Sequence, residues 1–302
     1  DRIDTIVTCD NGIAASEEIA QAIEGGMSVI VTDHHEIPYI DTEKGREWMI
    51  PPADAVINPK QSDCAYPNKN LCGAAVAWKL IWALYEKHRI PEEEILEFSE
   101  AAAIATVGDV MDLQGENRII VKEGLKRLEH TKNPGLRALI AANGLEGGRI
   151  TAYHVGFVLG PCINASGRLD TASRSLKLLC EEDPEKAARE AGDLLALNQS
   201  RKAMTEKGKE EAVRLIEETE LKKDPVLVVY LPECHESLAG IIAGRIREKY
   251  YKPVFVLTRG ENGVKGSGRS IEAYSMYDEL VKCRELLEQF GGQPMAAGLS
   301  LK

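Results

Sequence analysis

The chain has 302 residues and a formal net charge of −11 at pH 7, from 37 basic and 48 acidic side chains. This length suits two domains, because one domain usually takes about 100–200 residues. Hydrophobic residues make up 44% of the chain, which is enough to bury a core and excludes a disordered protein. No apolar run approaches the ~18–20 residues of a membrane span, and the negative charge argues against a nucleic-acid binder that depends on overall positive charge.

The charge is unevenly distributed along the chain. Residues 221–302 carry 12 basic and 10 acidic side chains, which leaves a net charge of −13 on residues 1–220. A nearly neutral C-terminal part beside an acidic N-terminal part favours a division into two domains.

The cysteines and the first residues indicate the context of the chain. Seven scattered cysteines without a CxxC pair are typical of reduced thiols in a cytoplasmic protein, and they argue against a disulfide framework or a zinc site. No signal peptide is visible, and the chain begins Asp1-Arg2-Ile3 without an initiator methionine. We therefore expect a fragment of a longer protein.

The first predicted elements form a βαβ unit. The strand DTIVTC (4–9) precedes Asn11-Gly12 and the helical stretch AASEEIAQAIEGG, and a second strand, MSVIVTD, follows. Such a unit predicts a parallel sheet that is covered on both faces. A further short strand is expected at 55–58, and the pattern from about 73 to 197 is almost wholly helical.

The second half of the chain predicts a smaller α/β module. Residues 198–221 are strongly charged with a helical period, which fits either a solvated surface helix or a helix that joins two domains. Strand VLVVY, a helix near 237–249, strand PVFVL, the glycine-rich GVKGSGRS and a last helix before GGQPMAAG follow. The predicted fold is α/β, with a parallel-sheet domain and helical extension at 1–197, a connecting helix at 198–221 and a second domain at 222–302.

Polar residues follow the two predicted parallel strands. Asp10 comes directly after IVTC, and Asp33-His34-His35 comes after VIVT. Ligands collect at the carboxyl ends of strands in open α/β sheets, and neighbouring strand ends lie ~5 Å apart. Asp109 follows a long apolar helix. Each of these residues alone is explained by a cap or a polar loop, but carboxylates and imidazoles at two neighbouring strand ends together favour a site for Mn²⁺ or a similar ion.

These residues resemble a known family. Asp10 in TCDNGI, Asp33-His34-His35 in VTDHH, and Gly108-Asp109 are similar to the second, third and fourth motifs of the DHH phosphoesterases. GSGRS (266–270) and GGQPMAAG (291–298) resemble the DHH-associated substrate domain.

Two further motifs resemble a narrower subgroup of this family. LGPCINASGRLDTA (159–172) and NQSRKAMTEK (198–207) are similar to segments of the bacterial exonucleases that are specific for single-stranded DNA. The resemblance covers nearly the whole chain, and its motifs occur in the expected order.

The resemblance implies a phosphodiesterase with two Mn²⁺ (or Mg²⁺) ions, which activate a water and stabilise in-line displacement at phosphorus. Asp10 would bridge both ions, and His34 and Asp109 would complete the ligands of one. Asp33 would hold His34 in its ligating tautomer. His35 would donate a hydrogen bond to the scissile phosphate.

The resemblance also implies a substrate site. Its residues would grip the 5′ end of single-stranded DNA and give 5′→3′ digestion to mononucleotides in DNA repair and recombination. Arginines bind phosphate as forks, and the glycines of 266–268 and 291–292 let backbone amides approach an anion. The implied substrate-binding residues are His35, Arg168, Ser267, Gly268, Arg269, Gly291, Gly292 and Gln293. A monomer is expected, with a helicase or single-strand-binding protein as possible partners and no membrane.

Two features depart from the family pattern. The first motif, an Asp-x-Asp strand end that supplies ligands to the second ion, is absent and is expected upstream of residue 1, so we expect weak metal binding and little or no nuclease activity. Gln293 stands where the family typically has a histidine, and it can hydrogen-bond but not carry a proton. Two other functions remain open: a phosphodiesterase for short oligonucleotides or nucleotides, and a catalytically silent DNA-binding scaffold.

Overall fold

The structure, a computed structural model, describes residues 3–43, 45–261 and 263–301. Asp1 and Arg2, with which the chain begins, lie outside the described residues. The chain divides into a first unit, residues 1–161 and 181–188, and a second unit, residues 162–180 and 189–302. This division differs from the predicted boundaries, because residues 162–180 and 189–221 make most of their contacts within the second unit.

A three-stranded parallel sheet forms one layer of the first unit. The strands are β1 (Thr5–Val7), β2 (Ser28–Thr32) and β5 (Ala55–Ile57), in the order β1-β2-β5. Helix α1 (Ser16–Glu24) connects the first two strands. Its Ile19 is buried with alternate residues of β2. The predicted βαβ unit is confirmed, and the carboxyl ends of β1 and β2 are adjacent.

A small antiparallel hairpin, which the sequence analysis missed, follows the second parallel strand. Strands β3 (Tyr39–Thr42) and β4 (Gly45–Trp48) pair with each other and are largely exposed. The rings of Tyr39 and Trp48 meet edge to face with centroids 5.5 Å apart, and the Arg46 guanidinium lies 3.7 Å from the centroid of Tyr39. Exposed side chains hold this hairpin, so it has no hydrophobic alternation to reveal it.

Five helices complete most of the first unit. They are α2 (Gly73–His88), α3 (Glu92–Glu97), α4 (Ser99–Gly108), α5 (Gly115–Leu128) and α6 (Pro134–Ala142). Trp78 of α2 is buried, and its Nε1 donates to the carbonyl of Ile95 at 2.9 Å. At Gly124, α5 lies so close to α4 that a Cβ atom would come within 2.6 Å of the Ser99 carbonyl oxygen.

The next helical run contains a π-helical segment. Helix α7 (Ala152–His154) continues through the π-helix Val155–Leu159 into α8 (Gly160–Leu169), and α9 (Ser173–Leu179) follows. The Gly160 N–H donates to the carbonyl of Val155, five residues back. Pro161 has no N–H to continue the ordinary α-helical pattern, which favours this local widening.

The longest helix, α10, spans Pro184–Glu218 and therefore begins well before the predicted connecting helix at 198–221. Its charged residues are interrupted by buried ones, including Asn198, Ala212 and Ile216. Throughout residues 3–43, 45–261 and 263–301, each helix falls short of the length or the apolar character that crossing a membrane requires.

The second unit contains a five-stranded mixed sheet in the order β6-β7-β8-β10-β9. Its elements are β6 (Leu227–Tyr230), α11 (Glu236–Tyr250), β7 (Val254–Gly260), β8 (Gly263–Arg269), α12 (Met276–Lys282), β9 (Gln289–Gln293) and β10 (Ala296–Leu301). Strands β6 and β7 are parallel, and the remaining pairs are antiparallel. This sheet and its helices confirm the predicted smaller α/β module.

The glycine-rich segments of this module lie in strands β8, β9 and β10. At Gly268 a Cβ atom would collide with the sulfur of Met276 and would lie 2.8 Å from the Phe255 ring. At Gly266 it would lie 2.9 Å from a methyl carbon of Leu299. Both glycines therefore let neighbouring apolar side chains pack closely across the sheet.

Candidate metal centre and cationic pocket

Asp10 occupies the turn that follows β1. Its backbone is left-handed, with φ 64°, a conformation that aspartate adopts more readily than most residues. The Asp10 N–H donates to the carbonyl of Thr32 at 3.0 Å, and the hydroxyl of Thr8 donates to the carbonyl of Asn11 at 2.7 Å. These bonds tie the turn to β2 and set the direction of the Asp10 carboxylate.

His34 lies between two carboxylates from different elements. Its Nε2 is 3.1 Å from Oδ1 of Asp10 and 3.5 Å from Oδ2 of Asp109, which caps the C-terminus of α4. The His34 side chain is only 10% exposed, whereas those of Asp10 and Asp109 are 57% and 48% exposed. The structure therefore brings together the three residues that the sequence analysis assigned to one ion.

The geometry of this cluster fits a divalent cation. Octahedral ligands ~2.1 Å from one ion lie about 3 Å from each other, close to the two separations at His34. One ligand atom each from Asp10, His34 and His35 also lie within 4.8 Å of one another. Carboxylate oxygens and imidazole nitrogens together suit Mn²⁺.

Asp33 contacts the ring of His35, which corrects the expectation that it would hold the ring of His34. Its Oδ1 lies 2.7 Å from Nδ1 of His35 and accepts the backbone N–H of His34 at 2.7 Å, while Oδ2 accepts the N–H of Ile13 at 2.9 Å. Nδ1 of His34 is buried and has no hydrogen-bond partner among the described residues. The direction of each ring is set by the backbone: β2 leads His34 inward and leaves His35 more exposed.

The surroundings of Asp33 favour its ionised form. Burial raises the pKa of this carboxyl, but the hydrogen bonds from Ile13 and His35 outweigh burial and hold the pKa below its usual value. An ionised Asp33 accepts a proton-bearing Nδ1 and leaves Nε2 of His35 available to a ligand.

The second unit contains a cavity of about 500 Å³ with a cationic lining. Arg168, Ser267 and Arg269 all lie in its wall, together with Arg245 and the carboxylates Glu236 and Glu248. Arg168 donates from Nη1 to the Ser237 carbonyl at 3.0 Å, and Arg269 donates from Nη1 to the Gly268 carbonyl at 2.7 Å. The structure thus brings together three of the predicted substrate residues.

The pKa values of two arginines in this region, Arg269 and Arg201, are lowered by burial and by neighbouring arginines. Burial, and then the charges of Arg168 and Arg247, lower the pKa of Arg269. Burial, and then Arg168, lower the pKa of Arg201. Guanidinium groups stay charged despite such shifts. Among the described residues, no carboxylate oxygen lies within 4.0 Å of a guanidinium nitrogen of Arg168, Arg201 or Arg269, so their charge is available to an anion.

Arg201, in the segment NQSRKAMTEK, was not among the predicted substrate-binding residues. Its Nε and Nη2 donate to Oδ1 of the buried Asn198 at 3.1 and 3.0 Å. The burial of Asn198 shows that this face of the helix is not fully solvated, and the charged helical pattern did not indicate it.

Gly291, Gly292 and Gln293 do not line the cavity. They belong to β9, the edge strand, where Gln293 is exposed. Gln293 pairs with Ala296, which in turn pairs with Arg269. Gln293 and Arg269 therefore share one face of the sheet about 10 Å apart, two strand spacings, and a substrate role for these three residues stays a prediction.

The chain matches known families at both ends. Residues 1–107 match the DHH family, N-terminal domain, and residues 223–302 match the DHHA1 domain. It is 39% identical to the single-stranded-DNA-specific exonuclease RecJ of Dickeya dadantii and 39% identical to that of Bacillus subtilis. Each alignment covers 98% of this chain, but only 53% and 36% of those relatives. The chain thus spans about half of these proteins or less.

Solved structures show the same fold. RecJ from Thermus thermophilus, in complex with Mn²⁺, has a TM-score of 0.84 at 35% identity, covering 99% of this chain and 42% of that one. An exonuclease RecJ bound to manganese has a TM-score of 0.82 at 34% identity, covering 99% and 71%. The Thermus thermophilus protein was also solved with Mg²⁺. The chain belongs to the DHH phosphoesterase family, in which it is a homologue of the RecJ exonucleases.

Proposed function

We propose that this chain carries the catalytic core of a 5′→3′ exonuclease that hydrolyses phosphodiester bonds of single-stranded DNA with Mn²⁺ or Mg²⁺. The observation that carries the proposal is the position of His34, whose Nε2 faces the carboxylates of Asp10 and Asp109 at 3.1 and 3.5 Å. The names of the RecJ relatives supply the substrate class, single-stranded DNA.

In the proposed mechanism, Asp10, His34 and Asp109 hold the metal. A cation held there would supply positive charge beside the phosphate and would make a coordinated water more acidic. His35, held through Nδ1 by ionised Asp33, donates from Nε2 to a phosphate oxygen when its ring is protonated. The Asp33 carboxylate fixes the direction of the His35 ring through its contact with Nδ1.

The cationic pocket of the second unit would bind the 5′ end of the strand. Arg168 and Arg269 present guanidinium groups that have no carboxylate partner within 4.0 Å among the described residues, and Ser267 adds a hydroxyl group to the same cavity. Guanidinium groups bind phosphate in a bidentate fashion. Recognition of a terminal 5′-phosphate would give 5′→3′ polarity and the release of 5′-mononucleotides.

The nuclease proposal is tested with 5′-labelled DNA in Mn²⁺, using RecJ of Thermus thermophilus as the positive control. We expect this chain to digest single strands far more slowly than the control does and to leave duplexes intact, and we expect no digestion by an Asp10→Ala variant. Digestion that persists in EDTA, or equally fast cleavage of duplex DNA, would contradict the proposal.

Activity of the 302-residue chain alone is expected to be low. The described cluster supplies ligands to one ion, whereas hydrolysis by the two-metal mechanism needs ligands for a second. Turnover of single strands at a rate comparable to the Thermus thermophilus control would overturn this expectation. Binding of single-stranded DNA without any metal-dependent cleavage would instead favour the scaffold.

Location, assembly and partners are proposed from the family resemblance. We expect a cytoplasmic monomer that works with a helicase or a single-strand-binding protein. Among the described residues no disulfide joins any of the seven cysteines, which is compatible with a reducing compartment. Sedimentation of the purified chain tests the monomer directly.

A further inference from the structure

Gly73, the first residue of α2, lies against Asp10. A Cβ atom at position 73 would come within 2.5 Å of both Cα and Cβ of Asp10 and would also collide with its Oδ1. Real Cβ atoms essentially never approach another heavy atom to less than 3.0 Å. Because the backbone of Asp10 is involved, a new rotamer of the aspartate could not relieve the clash.

Both sides of this contact are anchored. On one side, Asp10 is tied to β2 through the carbonyl of Thr32. On the other, α2 is anchored by the buried Cys72, whose Sγ lies 3.4 Å from Oγ1 of Thr106, and by the buried Trp78. The turn that carries Asp10 is half-exposed and has less packing around it than α2. A side chain at position 73 would therefore displace this turn.

Backbone conformation does not require glycine at position 73. Gly73 is absent from the glycines with positive φ, and alanine is the better helix former. Space is what excludes a larger residue, and Asp10 fills that space. We propose that Gly73 is a positioning residue of the metal centre: by lacking a side chain, it sets the position of the Asp10 carboxylate relative to Nε2 of His34.

This inference rests on the proposed metal centre, and its test uses metal binding rather than nuclease activity. Mn²⁺ is titrated into the 302-residue chain without DNA, and free Mn²⁺ is followed by electron paramagnetic resonance. Gly73→Ala is expected to weaken Mn²⁺ binding about tenfold or more, as changes beside metal ligands commonly do. Gly192→Ala is the matched control, because Gly192 lies exposed in α10 and its Cβ would meet nothing within 4 Å.

The outcomes separate the two proposals. Equal Mn²⁺ affinity in the wild type and Gly73→Ala would overturn the role of Gly73 and leave the metal centre intact. A wild-type chain that binds no Mn²⁺ would overturn both. A lower affinity in Gly73→Ala with an unchanged Gly192→Ala control is the expected result.

A second measurement covers the case in which Gly73→Ala folds poorly. Thermal unfolding without metal is compared for Gly73→Ala in the wild type and in an Asp10→Gly background. Removing the Asp10 side chain eliminates its Cβ and carboxylate contacts and frees the backbone to relax, so we expect a smaller loss of melting temperature there. An equal loss in both backgrounds would show that the side chain of Asp10 is not the group that needs the space, which contradicts the proposal.

Discussion

The metal centre and the cationic pocket concentrate charges of opposite sign. In the first unit, Asp10 and Asp109 converge on His34 with about half of each carboxylate exposed. In the second, Arg168 and Arg269 line one cavity, and burial and then the charge of Arg168 lower the pKa of Arg269. Each region concentrates like charges whose natural complement is a ligand of opposite sign. The net charge of −11 therefore says little about which ligands the chain binds.

The two regions also differ in how they hold their groups. The metal ligands are placed by backbone, at a strand end and a helix end, and the imidazole of His34 is buried. The arginines are long side chains that rest on carbonyl oxygens such as those of Ser237 and Gly268. We therefore expect a substitution at the metal centre to remove most of the Mn²⁺ affinity. A substitution in the pocket is expected to lower DNA affinity only in part.

The largest effect is expected for Asp10→Ala. Loss of a direct ligand should lower Mn²⁺ affinity by at least about 100-fold, since even changes at groups behind the ligands cost roughly 10–100-fold. Isothermal titration with Mn²⁺ measures the effect, and Asp63→Ala, at an exposed aspartate, is the control. Unchanged Mn²⁺ affinity in Asp10→Ala would remove Asp10 from the metal site.

The pocket is tested next by Arg269→Gln. A charged hydrogen bond contributes about 1.5–3 kcal/mol, so binding of a 5′-phosphorylated single strand in EDTA should weaken about 10–100-fold. Binding of the same strand with a 5′-hydroxyl should change much less. Fluorescence anisotropy measures both, with Arg214→Gln on α10 as the control because Arg214 pairs with Glu218 at 3.4 Å. Equal losses for the two strands would contradict recognition of the terminal phosphate.

The variant Asp33→Asn tests whether Asp33 acts on the ring of His35 or on the ring of His34. Its side-chain amide lacks the negative charge that faces Nδ1 of His35 and can donate to that nitrogen instead, so the ring is held less firmly in its direction toward the phosphate. We expect about a tenfold slower cleavage rate, with Mn²⁺ affinity largely unchanged because Asp33 does not contact the ring of His34. The ¹⁵N shifts of the His35 ring report the tautomer without any need for turnover. If the variant loses Mn²⁺ affinity while the ¹⁵N shifts of His35 stay unchanged, Asp33 acts on the ring of His34 and its assignment to His35 is wrong.

The smallest effect is expected at Glu116, a carboxylate of the first unit whose charge is balanced by neighbouring side chains. Glu116 lies 2.6 Å from Nζ of Lys79 and 2.7 Å from the hydroxyl of Tyr66. Burial raises the pKa of Glu116, but these hydrogen bonds outweigh it and hold the pKa below its ordinary value. Stability from such a group is present above its unfolded pKa of about 4.3 and is lost as pH falls through the folded pKa.

Glu116→Gln should therefore lower the free energy of unfolding by about 1 kcal/mol at pH 7. The difference from the wild type should shrink as pH falls below about 4. Urea unfolding at pH 7, 5 and 3.5 measures it, with Glu123→Gln, at an exposed site on α5, as the control. A difference that stays constant across this range would mean that the charge of Glu116 is not what stabilises the contact.

Much of the first unit could be predicted because its strands, its helix and its site residues are marked by patterns within short stretches of the sequence. The βαβ unit alternates apolar strands with a capped helix, and Asp10 and His34 follow those strands directly. The partner of Asp33 could not be predicted, because adjacent histidines are equivalent in sequence and only the direction of the chain after β2 separates them. The same holds for Gly73, whose neighbour Asp10 is distant in sequence.

In the second unit, packing between elements overrides local preference. Glycine is a poor strand former, yet Gly266 and Gly268 lie in β8 because Leu299 and Phe255 occupy the space above them. Arg201 was hidden for a similar reason, since a charged helical pattern does not show that Asn198 is buried. Hydrophobic alternation and charge predict which face of a helix or strand is buried only where the opposite face is in contact with solvent.

The carboxylates at the strand ends have a further consequence for a neighbouring thiol. Partial burial, and then the charge of Asp10, raise the pKa of Cys9, and Asp33 contributes in the same direction. Thiolates, not thiols, react with peroxides and disulfides. Partial burial and the nearby carboxylates thus both favour the thiol form of Cys9, the less reactive form, directly beside Asp10.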